Sequence, residues 1–290
     1  LNTKILGWFL GNQVDGEKYM YHGYPVNQMF GVQNSLPSMI ESSHKLRNKS
    51  DVEAYITRLS KFDTKFEQVL EGLKIREEKG IIPPTYIIDK VLNEMKGFTG
   101  QKKSTEIDRE TPIKDPVKEN ILFSNFNTKI DKIEDLSDED KEKYKKAVEQ
   151  EVQTTVFGAY NSLITYFEGL KAKATNEAGV WKFPDGAEFY QYQLSQNTTT
   201  KYTPQEVHDI GLSEVARIKK EMLEILASQN YADSTKAIGE IIQALNKEDR
   251  FLYQNNDEGR QQVLVKYNEI LDEISEGLDD AFDIRPKAKL

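Results

Sequence analysis

Histidine is the side chain that most often ligates a catalytic metal or transfers a proton, and this sequence has three of them. No two of His22, His44 and His208 lie four residues apart, so there is no His-Glu-x-x-His helix of the kind that holds zinc. Cysteine is absent, which excludes thiolate metal sites, disulfide bonds and a cysteine nucleophile. We therefore expect this chain to hold no metal and no cofactor.

The three histidines differ in their surroundings along the chain. His22 is the better candidate for a binding site, because it lies beside aromatic residues in a stretch rich in glycine and proline. His44 is expected to be solvated near a helix end. His208 is expected to lie on the surface, or partly buried, one turn inside a helix.

Amide side chains are concentrated in residues 24–38, where they alternate with apolar side chains. This candidate group consists of Tyr24, Asn27, Gln28, Gln33 and Asn34. Because an amide offers donors and acceptors at once, such a group can bind a peptide backbone. The alternative is that the amides satisfy the buried backbone groups of an irregular loop.

A second polar stretch lies at residues 190–200. Its candidate site residues are Tyr192 and the run Thr198, Thr199 and Thr200, which precedes a strong helix start at Thr203. The threonines either line a cleft or only support a turn and a helix cap.

Hydrophobic periodicity predicts α-helices over most of the chain. Apolar residues recur at steps of three and four over 50–98, 121–173 and 187–282, and no stretch alternates as a strand does. The helix after residue 50 is predicted to run unbroken for about 28 residues. Residues 1–48 are predicted to be mostly loop, with one short helix over about 37–46. Residues 99–120 are predicted to be a mobile loop, and the helix over 138–173 is predicted to kink near Thr154, Thr155 and Gly158. The predicted fold is one all-α region, an irregular array of several long amphipathic helices.

Composition excludes two classes of partner. The chain of 290 residues has 39 Lys and Arg against 48 Asp and Glu, a net charge of -9 that argues against nucleic-acid binding. No window of 18 consecutive apolar residues exists, so no membrane span is predicted.

The motifs, taken in order, resemble a known bacterial family. They are Tyr-Pro-Val-Asn-Gln-Met-Phe-Gly-Val-Gln-Asn-Ser-Leu-Pro-Ser at 24–38, Gly-Ile-Ile-Pro-Pro at 80–84, Phe-Pro-Asp-Gly at 183–186 followed by Tyr190, the segment at 198–208, Gly-Leu-Ser-Glu-Val-Ala-Arg-Ile at 211–218, and the tail at 285–290. Together they resemble domain-of-unknown-function family 885 over nearly the whole chain.

That resemblance implies a function and a missing part. Members of the family are similar to α-helical zinc peptidases, and many are described as lipoproteins or metal-dependent hydrolases. The implied chemistry is zinc-activated water attacking a peptide bond, with a glutamate as general base. In the family this apparatus lies downstream, in a His-Glu-x-x-x-Gly-His-His-like motif that this sequence lacks. The chain is therefore expected to be the N-terminal half of such a protein, with zinc in the other half.

By the same resemblance, the candidates in 24–34 and 192–200 would form a wall of the substrate cleft. The implied partners are a peptide or small-molecule substrate and the protein's own C-terminal half. The implied location is the cell envelope, with the cytoplasm as the alternative. The competing interpretation is a non-enzymatic helical binding or scaffold protein of the envelope.

Overall fold

A computed structural model describes residues 2–101, 114–231, 233 and 235–283, with only the backbone at 279. These residues form α-helices and no β-strand, which confirms the all-α prediction. The helices are α1 (Asn2–Gly16), α2 (Val32–Ser43), α3 (Lys49–Leu59), α4 (Phe62–Glu78), α5 (Thr85–Phe98), α6 (Ile121–Ile130), α7 (Asp138–Glu151), α8 (Phe157–Lys171), α9 (Gly186–Thr198), α10 (Pro204–Ser228), α11 (Ile238–Leu245) and α12 (Asp257–Ala281).

The chain divides into two compact units, Leu1–Tyr202 and Thr203–Leu290. Much of the predicted mobile loop, at 102–113, and the matched tail at 285–290 lie outside the described residues. None of the helices in the described ranges is both long and apolar enough to cross a bilayer.

Two helical layers form the core of the first unit. Helices α4 and α5 pack on α8, while α3 and α6 pack on α7 and α2 packs on α6. Aromatic rings join α4 and α5 to α8, since the Tyr160 ring of α8 lies 5.0 Å from Phe66 of α4 and stacks at 4.3 Å on Phe98 of α5. Tyr160 is 1% exposed and therefore lies at the centre of this packing.

A π-helical turn, Val152–Val156, joins α7 to α8 at the place where the sequence predicts a kink. The buried side chains on either side follow steps of four, at Tyr144, Val148, Val152, Val156 and Tyr160. In a regular α-helix each step of four drifts by about 40° around the axis, because the period is 3.6 residues. A wider π turn removes part of this drift and keeps the row facing the core.

The start of the chain differs from the prediction of loops over 1–48. Residues Asn2–Gly16 form α1, in which no residue is buried. Each of its three glycines lowers helix stability by only about 1 kcal/mol relative to alanine, and no proline interrupts it. A glycine-rich segment can therefore still be helical, which is why the prediction of loops fails here. The long helix predicted after residue 50 is also two helices, because the chain turns at Ser60 and Lys61 between the buried Leu59 and Phe62.

The second unit has strong helix caps but little core. At the start of α10, the Thr203 hydroxyl accepts the Glu206 N–H at 3.2 Å and the Thr203 N–H donates to the Glu206 carboxylate at 2.7 Å. This capping box is the one that the sequence predicts. Of the described apolar side chains in this unit, only Leu226 and Ile241 are buried.

Candidate functional site

Asn27 organises the amide-rich segment into a tight turn. Its Oδ1 accepts the backbone N–H groups of Met29 and Phe30, both at 2.9 Å, and its Nδ2 donates to the Tyr24 carbonyl at 2.8 Å. This arrangement is an Asx turn, in which the side chain takes over the hydrogen bonds of a backbone turn. The Asn27 amide is therefore engaged with its own loop.

Gln33 fastens this turn to the core. It is 2% exposed, and its Nε2 donates to the Asn27 carbonyl at 2.6 Å and to the Glu94 carboxylate at 3.1 Å. Its backbone carbonyl accepts the Tyr160 hydroxyl. Gly31 makes this approach possible, because a Cβ there would lie 2.0 Å from Gln33 Oε1 and 2.5 Å from the Asn27 backbone nitrogen. The turn and the core helices thus meet at Gln33.

A cavity of about 190 Å³ opens beside Gln33, and we call it the Glu94 cavity. Among the side chains that line it are Gln33, Asn34, Glu41, Glu94, Phe98 and Tyr160. They come from α2, α5 and α8. Two of the predicted site residues, Gln33 and Asn34, are thus brought together with two carboxylates.

Glu94 is half-buried and forms no ion pair with any described residue. Burial raises the pKa of its carboxyl above the ordinary value, while hydrogen bonds from Gln33 and Asn34 oppose that rise. Glu41 accepts a hydrogen bond at 2.9 Å from Asn125, and Lys129 donates to the Glu41 backbone carbonyl instead of its carboxylate. The cavity therefore holds two acidic groups without an internal cation from the described part of the chain.

Because no cation of the described residues offsets the burial of the Glu94 carboxylate, we predict that Glu94 lowers the free energy of unfolding by an amount that depends on pH. We expect Glu94→Gln to raise the free energy of unfolding at pH 7, because glutamine keeps the oxygen that accepts from Gln33 and carries no charge to desolvate. Since the folded pKa of Glu94 is raised, the wild type loses stability as pH rises through that pKa. The gain of the variant should therefore vanish below about pH 4, where the unfolded carboxyl is protonated too.

Urea denaturation at several pH values measures this gain. Exposed Glu67 on α4 provides the matched control, and Glu67→Gln should change the unfolding free energy by less than about 0.5 kcal/mol at every pH. A Glu94→Gln protein that is less stable than the wild type at pH 7 would contradict the cost assigned to Glu94.

Tyr24 and Gln28 lie in the same segment but do not line the Glu94 cavity. The Tyr24 hydroxyl donates to the Ile82 carbonyl at 3.4 Å, and burial, with the nearby Tyr86, raises the pKa of Tyr24 to about 12. Gln28 Oε1 is buried without a hydrogen-bond partner among the described residues. These two side chains are placed for packing, and a contact with substrate remains a prediction.

The second predicted group lies around the end of α9. The Tyr192 hydroxyl donates to the Asn12 carbonyl at 2.9 Å, and its ring lines a separate surface depression with Lys18. Thr199 ends α9 in the left-handed conformation at φ 57°. The hydroxyls of Thr198 and Thr200 lie 2.8 Å apart, and that of Thr198 accepts the Thr200 N–H at 3.3 Å. The threonines therefore form a helix end, and their role in a cleft remains a prediction.

His22 is held by the Phe-Pro-Asp-Gly motif. Its Nε2 lies 2.7 Å from Asp185 Oδ1, and its ring lies between those of Tyr19, Phe183 and Phe189, at 4.7 to 5.4 Å. The hydrogen bond from His22 lowers the pKa of Asp185. His22 Nδ1 is buried and has no partner in the described chain. The pair ties the entry segment to the loop before α9.

His44 is buried, which corrects the expectation that it is solvated. It is 8% exposed, its Nε2 lies 2.8 Å from the Asp51 carbonyl, and its Nδ1 contacts Arg58. The ring fills the space between the end of α2 and the start of α3. No three His, Asp or Glu side chains of the described residues form a group that could hold a metal ion.

Comparison with known proteins identifies a family and solved structures that resemble this chain. The model of the family "Bacterial protein of unknown function (DUF885)" matches residues 1–290. The crystal structure of the "putative lipoprotein from Colwellia psychrerythraea" superposes with a TM-score of 0.77 at 28% identity, over 92% of this chain and 43% of that one. This chain thus spans less than half the length of that relative. No curated protein matches it.

Proposed function

Since the chain belongs to the bacterial DUF885 family over residues 1–290, as its motifs predict, we propose that it forms one wall of the substrate cleft of a longer metal-dependent hydrolase of the peptidase type. The Glu94 cavity is the observation that carries this proposal. A half-buried carboxylate without a cationic partner costs stability, so its presence beside Gln33 and Asn34 is best explained by a ligand that it binds.

Zinc belongs, in this proposal, to the part of the longer polypeptide outside this chain. There it would activate the attacking water and polarise the substrate carbonyl. The described residues of this chain do not fit the metal, because they contain no group of three possible ligands. We therefore assign them binding and positioning of the substrate and no step of bond cleavage.

The C-terminal half of the longer polypeptide is the partner that we propose for α10 and α12. Each helix exposes large apolar side chains that would normally be covered. On α10 they are Ile210, Leu212, Val215, Ile218, Leu223 and Ile225, and on α12 they are Leu264, Val265, Tyr267, Ile270, Leu271 and Ile274. This chain covers only 43% of the Colwellia relative. We therefore propose that a further segment of the same polypeptide packs on the apolar faces of α10 and α12.

The same apolar faces favour the second candidate function, a non-enzymatic binding or scaffold protein.

In either case we propose the cell envelope as the location, because the Colwellia relative is described as a lipoprotein; the cytoplasm is the alternative. A His-Glu-x-x-x-Gly-His-His-like motif in the reading frame that follows residue 290 would favour the hydrolase, and a stop codon there would favour the scaffold.

Peptide cleavage tests the proposed cleft. In the longest natural polypeptide that contains this sequence, supplied with Zn²⁺, we expect Asn34→Ala and Glu41→Gln each to lower kcat/KM for a peptide library by about tenfold. Glu41→Gln keeps an oxygen that can accept from Asn125, so the contact between α2 and α6 survives. Thr199→Gly retains the left-handed helix end and removes the whole Thr199 side chain, including its hydroxyl, so it tests the second candidate group by itself.

Glu67→Gln, on the exposed side of α4, is the control and should leave cleavage unchanged. Cleavage at wild-type rates by the Asn34 and Glu41 variants would contradict the cleft wall. No cleavage by the wild type, with or without Zn²⁺, would contradict the hydrolase and favour the scaffold.

A further inference from the structure

Helix α12 has an apolar stripe along its length, and that stripe is uncovered. Tyr267, Ile270 and Ile274 follow one another at steps of three and four, and Leu264 and Leu271 lie beside them. These five side chains are 41% to 64% exposed. A stripe of this kind normally packs against another element, so it marks a surface on which a further element can dock.

The charge of α12 is strongly one-sided. This helix contains eight of the 48 acidic residues of the chain and only two of its 39 basic residues. Both basic side chains lie in the N-terminal half of the helix and are already paired there, Arg260 with Asp257 at 2.6 Å and Lys266 with Glu269 at 2.9 Å. The C-terminal half of α12 therefore carries negative charge that no side chain of the helix offsets.

The acidic side chains of that half are placed where they destabilise an isolated helix. Glu269 and Glu273 are four residues apart, and so are Asp272 and Glu276, so each pair brings like charges together on the helix surface. These residues also approach the negative end of the helix dipole, and the last turn contains no basic residue. Positive charge supplied from outside α12 would therefore stabilise it.

This charge selects among the possible occupants of the stripe. A second copy of α12 would bring a second set of acidic residues, and an anionic lipid surface would be repelled in the same way. A basic amphipathic helix offers an apolar face for the stripe and also cations for Glu273, which lies three residues after Ile270 at the edge of the stripe. Of these occupants it is the one that matches both the apolar surface and the charge.

We propose that α12 docks a basic amphipathic helix supplied by the C-terminal half of the longer polypeptide. The apolar face of that helix packs on Tyr267, Ile270 and Ile274, and its lysine or arginine side chains lie along the C-terminal half of α12. The assignment of the helix to the C-terminal half rests on the proposed function. Its basic and amphipathic character rests on α12 alone.

Binding of dye-labelled synthetic peptides to the 290-residue protein, followed by fluorescence anisotropy, tests the proposal. One peptide consists of three Leu-Lys-Lys-Leu-Leu-Lys-Leu heptads, and the other has glutamate in place of every lysine. We expect the lysine peptide to bind at least about tenfold more tightly than the glutamate peptide, and its affinity to fall as salt is added. Ile270→Ser combined with Ile274→Ser should weaken that binding by at least about tenfold, and the fold should survive because both side chains are exposed.

Two double variants separate docking on α12 from attraction to the acidic chain as a whole. Glu273→Gln combined with Glu276→Gln should weaken binding of the lysine peptide by about threefold or more. Glu67→Gln combined with Glu71→Gln removes two exposed charges from α4 and should leave the affinity unchanged. Equal losses in these two variants, equal binding of the two peptides, or wild-type affinity in the serine variant would each overturn the proposal.

The longest natural polypeptide that contains this sequence tests the source of the helix. Because α12 should already be occupied there, the lysine peptide should bind at least about tenfold more weakly than it binds the 290-residue protein. Equal affinity would overturn the assignment to the C-terminal half. A dimer of the 290-residue protein that the serine variant dissociates would overturn the basic helix in favour of a second copy. Since none of these measurements involves cleavage, their failure would leave the hydrolase proposal standing, and the reverse also holds.

Discussion

Phe66→Ala is expected to lower the free energy of unfolding of the first unit by about 3–5 kcal/mol. The Phe66 side chain is 1% exposed, and its ring contacts Phe62 at 5.9 Å and Tyr160 at 5.0 Å. Removing the ring leaves a cavity between α4 and α8 that the packed helices cannot fill. The buried tyrosines of the described residues, Tyr19, Tyr55, Tyr144 and Tyr160, all lie in this unit, so urea denaturation followed by near-ultraviolet circular dichroism reports its transition.

Phe30 supplies the matched control for that truncation. It is 82% exposed, so Phe30→Ala should change the unfolding free energy by less than about 0.5 kcal/mol. Equal losses in the two variants would show that α4 and α8 are not packed as described. Because Tyr160 also lines the Glu94 cavity, Phe66→Ala should loosen the cavity wall as well.

Gly31→Ala and Gly158→Ala are expected to change stability in opposite directions. At Gly31 a new Cβ would lie 2.5 and 2.6 Å from the backbone nitrogen and oxygen of Asn27, so the whole turn must shift, at a cost of about 1–3 kcal/mol. At Gly158, within α8, a Cβ would meet nothing within 4 Å. There alanine should stabilise the helix by about 0.5–1 kcal/mol, because glycine is the poorer helix former.

The same denaturation measurement distinguishes the two glycines. A neutral or stabilising Gly31→Ala would mean that the turn of residues 24–34 is not fastened to Gln33 in the way described. A destabilising Gly158→Ala would indicate an unrecognised contact on the exposed side of α8.

Periodicity predicts most helices because their buried faces repeat along the chain. It fails at α1, which buries none of its residues, so nothing in the period distinguishes it from a loop. It also misses the break at Ser60, where both neighbouring helices keep apolar residues at helical spacing. The π turn is visible in the sequence, because apolar residues recur at every fourth position from Tyr144 to Tyr160, a longer period than a regular α-helix has.

The candidate site is only half predictable from sequence. Gln33 and Asn34 stand out because amides are dense around them. Glu94 could have been noticed, since it falls seven residues after Ile87 and three after Val91, on the edge of the buried face of α5. Glu41 could not, because its place beside Glu94 depends on how α2 and α5 meet in the folded chain. Local patterns carry no information about that approach.

The π turn at Val152–Val156 has a consequence for the history of this helix. A π turn holds one residue more than the α turn it replaces, so it is what a helix retains after a single codon is inserted. Deletion of one residue inside the turn should restore a regular α-helix, and the buried side chains of α7 and α8 should still face the core. Loss of one residue further along α8 would instead rotate Leu163, Phe167 and Leu170 by about 100° out of the core. Among relatives, single-residue gaps in this helix should therefore fall within these five positions.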